Sequence, residues 1–192
     1  MKKSWIIIGV IVVLVLMLGS MYNGMVKLNV ETQNSWAKVE TQYQRRADLI
    51  DNLVNTVKGY ADFEKSTLVA VIEARSAATQ VKVDANDLSP EKIAEFQAAQ
   101  DQLKGSLSRL LVTVEQYPNL KANEGFLKLQ DELAGTENRI AVARDNFNET
   151  AKNYNVSIQT FPRNLLAGMF GFKTKGFFES TPGSEKAPTV KF

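Results

Sequence analysis

The sequence predicts an all-α protein, an N-terminal transmembrane helix followed by an antiparallel up-down four-helix bundle, and three observations predict it. The stretch from Trp5 to Leu18 holds no charged or strongly polar side chain. The rest of the chain carries apolar residues at spacings of three and four, with no strand-like alternation of any length. Proline stands only at 90, 118, 162, 182 and 188, where it punctuates the periodic runs.

The N-terminus reads MKKSWIIIGVIVVLVLMLGSMYNG. As a helix it is about long enough to cross roughly 30 Å of hydrocarbon. A cleaved signal peptide has the same basic start, but LMLGSM supplies the small cleavage residues poorly, with Leu18 where a small side chain is wanted. Residues 1–22 therefore read as a cytoplasmic stub and uncleaved signal anchor. Lys2 and Lys3 precede the span, and Lys27 with Glu31 follow it. That bias favours a cytoplasmic N-terminus and a bundle outside the cytoplasm.

The bundle occupies residues 23–163. Its first helix runs from Val26 to Lys58, with Trp36, Tyr43, Ile50 and Val57 in one row and Val39, Arg46, Leu53 and Tyr60 in the other. Continuing the register past Gly59 would turn Glu64 and Thr67 inward, so Lys58-Gly59 reads as a helix end with Asp62 as the next N-cap. The alternative keeps residues 22–82 as one unbroken helix in a three-helix bundle. The second helix, Asp62 to about Lys82, would turn Phe63, Leu68, Val71, Ile72 and Ala78 inward. VDANDLSPEK ends it, and Ser89-Pro90 starts the third, proline being harmless at a first position whose N–H has no helical partner. Ile93, Phe96, Gln100, Leu103, Leu107, Leu110, Val114 and Tyr117 form its inner stripe. After YPNLKANEG the fourth helix, Asn123 to Thr160, carries Phe126, Leu133, Ile140, Phe147, Tyr154 and Phe161 seven apart, and Phe161-Pro162 stops it. Residues 164–179 are aromatic and basic. Residues 180–192, rich in Pro, Ser and Lys, have too few apolar groups to offset their ordering entropy and read as a flexible tail.

These residues resemble the LemA family over nearly the whole chain from the N-terminal span to GFFE. The resemblance is carried by YNGMVKL, SWAKVETQYQRRADLI, NLVNTVKGYA, the EAR at 73 to 75, YPNLKANEGFLKLQDEL, TENRIAVARDNFNE and YNVSIQTFP. It implies a bacterial, membrane-anchored helical bundle with no established enzymatic activity or cofactor. Family members often carry proline where this chain has Asp51, so a proline bend in the first helix is not implied here.

Composition narrows the chemistry. In 192 residues there is no Cys and no His, which removes disulfides, thiolate chemistry and the commonest metal ligand and general base. Net charge is +2 with both signs interspersed, so no basic stripe tracks a phosphate backbone and nucleic acid is not an expected partner. Ser35 and Lys38 fit the S-x-x-K spacing of some acyltransferases, but the companion Ser-Asp-Asn and Lys-Thr-Gly elements are absent, and an exposed helix face is the better reading. The triplets Asn148-Glu-Thr150 and Asn155-Val-Ser157 fall inside a helix and are not read as glycosylation sites. Asp48, Asp51, Glu132 and Glu137 belong to evenly mixed, solvated faces rather than to a convergent site. No catalytic residue, metal or cofactor is expected.

Three groups of residues carry the remaining expectations. Arg46, Gln100, Glu137 and Arg144 are polar at or near seam positions; Arg46 facing Glu137 would fix helix register, unless Arg46 snorkels to water from the seam edge. The first and fourth helices outrun the two middle ones, which would leave Trp36, Tyr43, Phe147, Tyr154 and Phe161 as an aromatic face seeking a second copy. The alternative is that the tail folds back over that face. In the tail, Leu165, Leu166, Met169, Phe170, Phe172, Lys173, Lys175, Phe177 and Phe178 suit a lipid headgroup boundary and equally a flap capping the bundle. The functional expectation is a non-enzymatic, self-assembling scaffold of the bacterial cell envelope on the cytoplasmic membrane, with the bilayer and further copies as partners. The alternative is an adaptor for an envelope protease, sensor or other membrane client.

Overall fold

The computed structural model describes residues 2–60 and 63–179, with side chains described from Trp5 onward. Every regular element among the described residues is a helix: α1 (Lys2–Lys58), α2 (Lys65–Gln80), α3 (Pro90–Val114), α4 (Pro118–Lys121), α5 (Glu124–Gln159) and α6 (Arg163–Phe170). The Asp62 cap and the tail beyond Glu179 lie outside the described residues.

α1 joins the apolar span to the first bundle helix without a break, although the sequence suggested two units. Gly19, Ser20 and Gly24 weaken helix propensity but supply no stop signal, so the backbone hydrogen bonds continue through them. The helix also passes straight through Asp51, whose carboxylate pairs with Arg75 of α2, while Arg75 Nε donates to the Ala47 carbonyl at 3.3 Å. α1 ends at Lys58, where Gly59 N and Tyr60 N donate to the carbonyls of Thr56 and Val57 in a tight turn. The unbroken 22–82 helix therefore does not form.

The middle elements hold smaller surprises. α2 buries Leu68, Val71, Ala74 and Ala78, whereas Ile72 is 38% exposed and belongs to the outer side, one position past the buried stripe. Ser89 and Pro90 start α3 as expected, but the Ser89 hydroxyl makes no capping bond. Asn123 does cap α5, its Oδ1 accepting from Phe126 N at 2.9 Å. The loop between α2 and α3, read only as a linker, buries Val83 and Leu88, and α4 in the next connection buries Leu120 completely.

The interior forms three layers along α1. Farthest from the span, Leu49 to Val57 of α1 pack with α2, the second half of α3, Leu120, and Phe126 and Leu133 of α5. In the middle layer Trp36, Val39 and Tyr43 meet Val83, Leu88, Ile93, Phe96, Ile140, Phe147 and, from the tail, Phe178. Nearest the span, Met25 meets Tyr154, Ile158 and Leu166 and Ala167 of α6. α1 packs chiefly on α5, and α2 on α3. Where the short middle helices run out, the tail and α6 close the core.

Candidate functional site

The four polar seam residues divide into a buried group and a separate clasp. Arg46, only 3% exposed on α1, donates from Nη1 to Glu137 Oε1 of α5 at 2.9 Å and from Nη2 to Gln100 Oε1 of α3. Gln100, itself buried, donates onward from Nε2 to the Ala78 carbonyl at the end of α2, at 3.3 Å. One guanidinium thus ties α1 to α3 and α5, and its amide neighbour adds α2. The same guanidinium lies 4.8 Å from the Tyr43 ring centroid. Burial raises the Tyr43 phenol, an effect that Arg144 and Arg46 oppose. The group is built for position: its donors and acceptors are turned on one another, apart from Arg46 Nε, which is buried without a partner.

Arg144 does not join that group. It lies over the Phe178 ring, 4.6 Å from its centroid, and donates to the Glu179 carbonyl at 2.9 Å. The acids considered for a cation are each engaged separately: Asp48 by Gln44, Asp51 by Arg75, Glu132 by Arg45 at 3.9 Å and Glu137 by Arg46. Ser35 is buried and Lys38 exposed, so the S-x-x-K pair does not present its two side chains together.

The aromatic face expected to meet a second copy is corrected by burial. Trp36 and Phe147 are fully buried, Tyr154 is 1% exposed and Tyr43 6%. They are covered within one chain: Phe178 stacks on Trp36 at 6.0 Å, and Phe96 meets Trp36 and Tyr43 edge-on. The alternative, a tail folded back over that face, is what Phe178 provides, and the loop bearing Val83 and Leu88, read only as a linker, adds the rest of the cover. Phe161 alone of the five is outside, at 75%, because α5 ends at Gln159 and the heptad phase ends with it.

The tail residues split between the two roles the sequence left open. Leu166, Phe178 and the Lys175 side chain turn inward, with Phe172 half-buried against the innermost layer. Leu165, Met169 and Phe170 of α6 are 61%, 79% and 58% exposed, Phe177 is 44% exposed, and Lys173 faces solvent. α6 lies beside the end of the apolar span, with Tyr22 of α1 against Phe170 at 4.9 Å and Phe172 at 5.8 Å.

After Gly171, which adopts φ +73° and closes α6, the chain runs extended from Phe172 to Glu179 along the groove between α3 and α5. Three side-chain amides hold its backbone, each by both of its polar atoms. Asn155 accepts from Lys175 N at 2.8 Å and donates to its carbonyl at 2.9 Å. Asn148 accepts from Phe178 N and donates to its carbonyl, both at 2.9 Å, and Gln97 does the same for Glu179 at 3.0 Å. Gly176 N donates to the Leu88 carbonyl at 2.8 Å. The Lys175 ammonium sits 5.5 Å from the Tyr154 ring centroid; burial lowers its pKa, with Asp87 and Asp84 pulling the other way. The sequence had singled out Asn148 and Asn155 only as glycosylation triplets. The usable signal was position: each directly follows an inner-row aromatic, Phe147 or Tyr154, so the two amides border the seam seven residues apart.

Fold and site together define a helical protein with, among the described residues, one helix long and apolar enough to cross a membrane, no part of that apolar window buried, and a core closed by the segment that follows α6. The chain belongs to the LemA family, whose model matches residues 35–192. It is 28% identical over 151 residues to protein LemA of Metamycoplasma hominis, covering 79% of this chain and 65% of that one. It is 27% identical over 181 residues to magnetosome proteins MamQ 1 and MamQ 2 of Paramagnetospirillum magneticum, covering 85% of this chain and 66% of each relative. The chain thus spans just under two thirds of the length of these relatives.

Proposed function

We propose that the protein is a membrane-anchored, non-enzymatic scaffold of the bacterial cell envelope, standing on the outer side of the cytoplasmic membrane and assembling with further copies of itself. The observation that carries this reading is the continuity of α1, which leads from the unburied apolar stretch into the packed core with no hinge. A rigid connection fixes the height and tilt of everything above it. At 1.5 Å per residue, α1 raises Val57 about 52 Å above Tyr22. In this reading α1, α2, α3 and α5 form the up-down four-helix bundle, supported by the antiparallel contacts of Arg46 with Glu137 and of Gln100 with Ala78.

α6 supports the same posture. Leu165, Met169, Phe170 and Phe161 form an exposed apolar group at the level where the span ends. Each such side chain gains roughly 1.5–3 kcal/mol on leaving water, and a helix lying in the headgroup plane supplies that burial. Lys2 and Lys3 favour a cytoplasmic N-terminus. The magnetosome names of two relatives are in keeping with a role at a membrane.

The test is the mass of the complex recovered from native membranes in mild detergent. A scaffold is recovered as a homo-oligomer that keeps its mass when purified alone. A monomer that gains mass only with a different protein would overturn the scaffold in favour of an adaptor.

A further inference from the structure

We propose that the groove between α3 and α5 is a binding site for an extended peptide of Lys-Gly-x-Phe character, and that residues 172–179 of a second copy enter it by exchange with the chain's own segment. This rests on the reading of the protein as a self-assembling scaffold and names the contact through which it assembles.

The groove reads a strand by its backbone. Asn155, Asn148 and Gln97 each satisfy both polar groups of one residue, and Leu88 takes a fourth bond. Main-chain pairing of this kind supplies affinity, and pockets for alternate side chains supply selectivity. Two positions select strongly. Phe178 fills a box walled by Trp36, Phe96 and Phe147. At Gly176 a Cβ would lie 2.7 Å from the Pro90 Cα, a backbone atom that cannot step aside, so only glycine fits. Lys175 lies against Tyr154, whereas Phe177 points outward and contributes no selectivity.

Nothing in this recognition depends on the strand belonging to the same chain. The bonds into the groove come from residues 175–179, and the segment is joined to α6 at Gly171. A strand from another copy would make the same bonds and bury the same surface, which is the condition for low-cost swapping. Two copies on parallel membrane-crossing helices present the segment and the groove at the same height, where a shared plane keeps the effective concentration high.

The chain has no cysteine, so introduced thiols report without background. Ala94 and Phe177 line one cleft beside the strand, and neither side chain holds it in place. Two differently tagged full-length copies, one Ala94→Cys and one Phe177→Cys, are co-expressed and treated in membranes with a short bis-maleimide. Exchange predicts a mixed-tag dimer. Its yield should rise when Gly176→Val is added to the Ala94→Cys copy, since that copy's own strand no longer fits and its groove is left to the other copy's. Gly176→Val in the Phe177→Cys copy, which leaves its helices and its own groove residues intact, should abolish the link. An intramolecular link in a chain carrying both cysteines, with no mixed-tag dimer, would overturn the proposal and leave the segment a latch in cis. So would a mixed-tag dimer indifferent to both substitutions, since that reports collision. A homo-oligomer by mass that yields no mixed-tag link would overturn exchange while leaving the scaffold standing.

Discussion

At the residue scale the central object is Arg46. A guanidinium at 3% exposure is tolerated because Glu137 supplies the opposite charge and Gln100 a second acceptor, while its Nε remains buried without a partner. Charged groups taken from water need such company, and removing one partner leaves the others stranded. The members should therefore be energetically coupled. Arg46→Met keeps length and loses charge, orphaning Gln100 Oε1; Glu137→Gln leaves the buried charge uncompensated. Each is expected to lower stability by about 1–3 kcal/mol. In a double-mutant cycle followed by chemical denaturation, the pair should lose less than the sum, with a coupling of at least about 1 kcal/mol. Additive losses would mean that the two side chains do not share an interaction in solution. The arginine was legible because it breaks an otherwise apolar row, and its facing acid followed from antiparallel pairing. Gln100 stood out as the polar member of an apolar stripe. Arg144 was placed only at or near the seam, and its turn toward Phe178 and the Glu179 carbonyl was not legible, because seam-edge positions look the same in sequence whether they face the seam or a passing strand.

At the scale of elements, the long helices were legible and the closing pieces were not. A repeat sustained over several turns states its buried face many times, which is why the heptad rows of α1 and α5 and the stripe of α3 map onto the core. The eight residues of α6 and the eight of the extended strand give only about two turns and about four pleats of pattern, and their burial depends on groups far away in the chain. The alternation of Phe178 inward and Phe177 outward is decided by Trp36, Phe96 and Asn148, none of them local. That alternation carries a prediction. Phe178→Ala empties the box between three aromatic rings and should lower thermal stability by about 3 kcal/mol or more. Phe177→Ala, at a position 44% exposed, should stay within about 0.5 kcal/mol of the parent. Equal losses would contradict the assignment of the strand's two faces.

At the scale of the whole molecule, the three core layers and the apolar span lie along one continuous helix. In the proposed function α1 sets the posture on the membrane, with α6 resting in the bilayer surface and the far end of the bundle standing well clear of it. With no native cysteine, single sites can carry an environment-sensitive fluorophore: Met169→Cys on the exposed face of α6 and Val112→Cys, 69% exposed near the distal end of α3. The measurement is quenching of each fluorophore by lipids bearing a spin label near the headgroup, in full-length protein reconstituted into bilayers. The proposed posture predicts blue-shifted, strongly quenched emission at 169 and water-like, unquenched emission at 112. Water-like emission at 169, with quenching no greater than at 112, would contradict it.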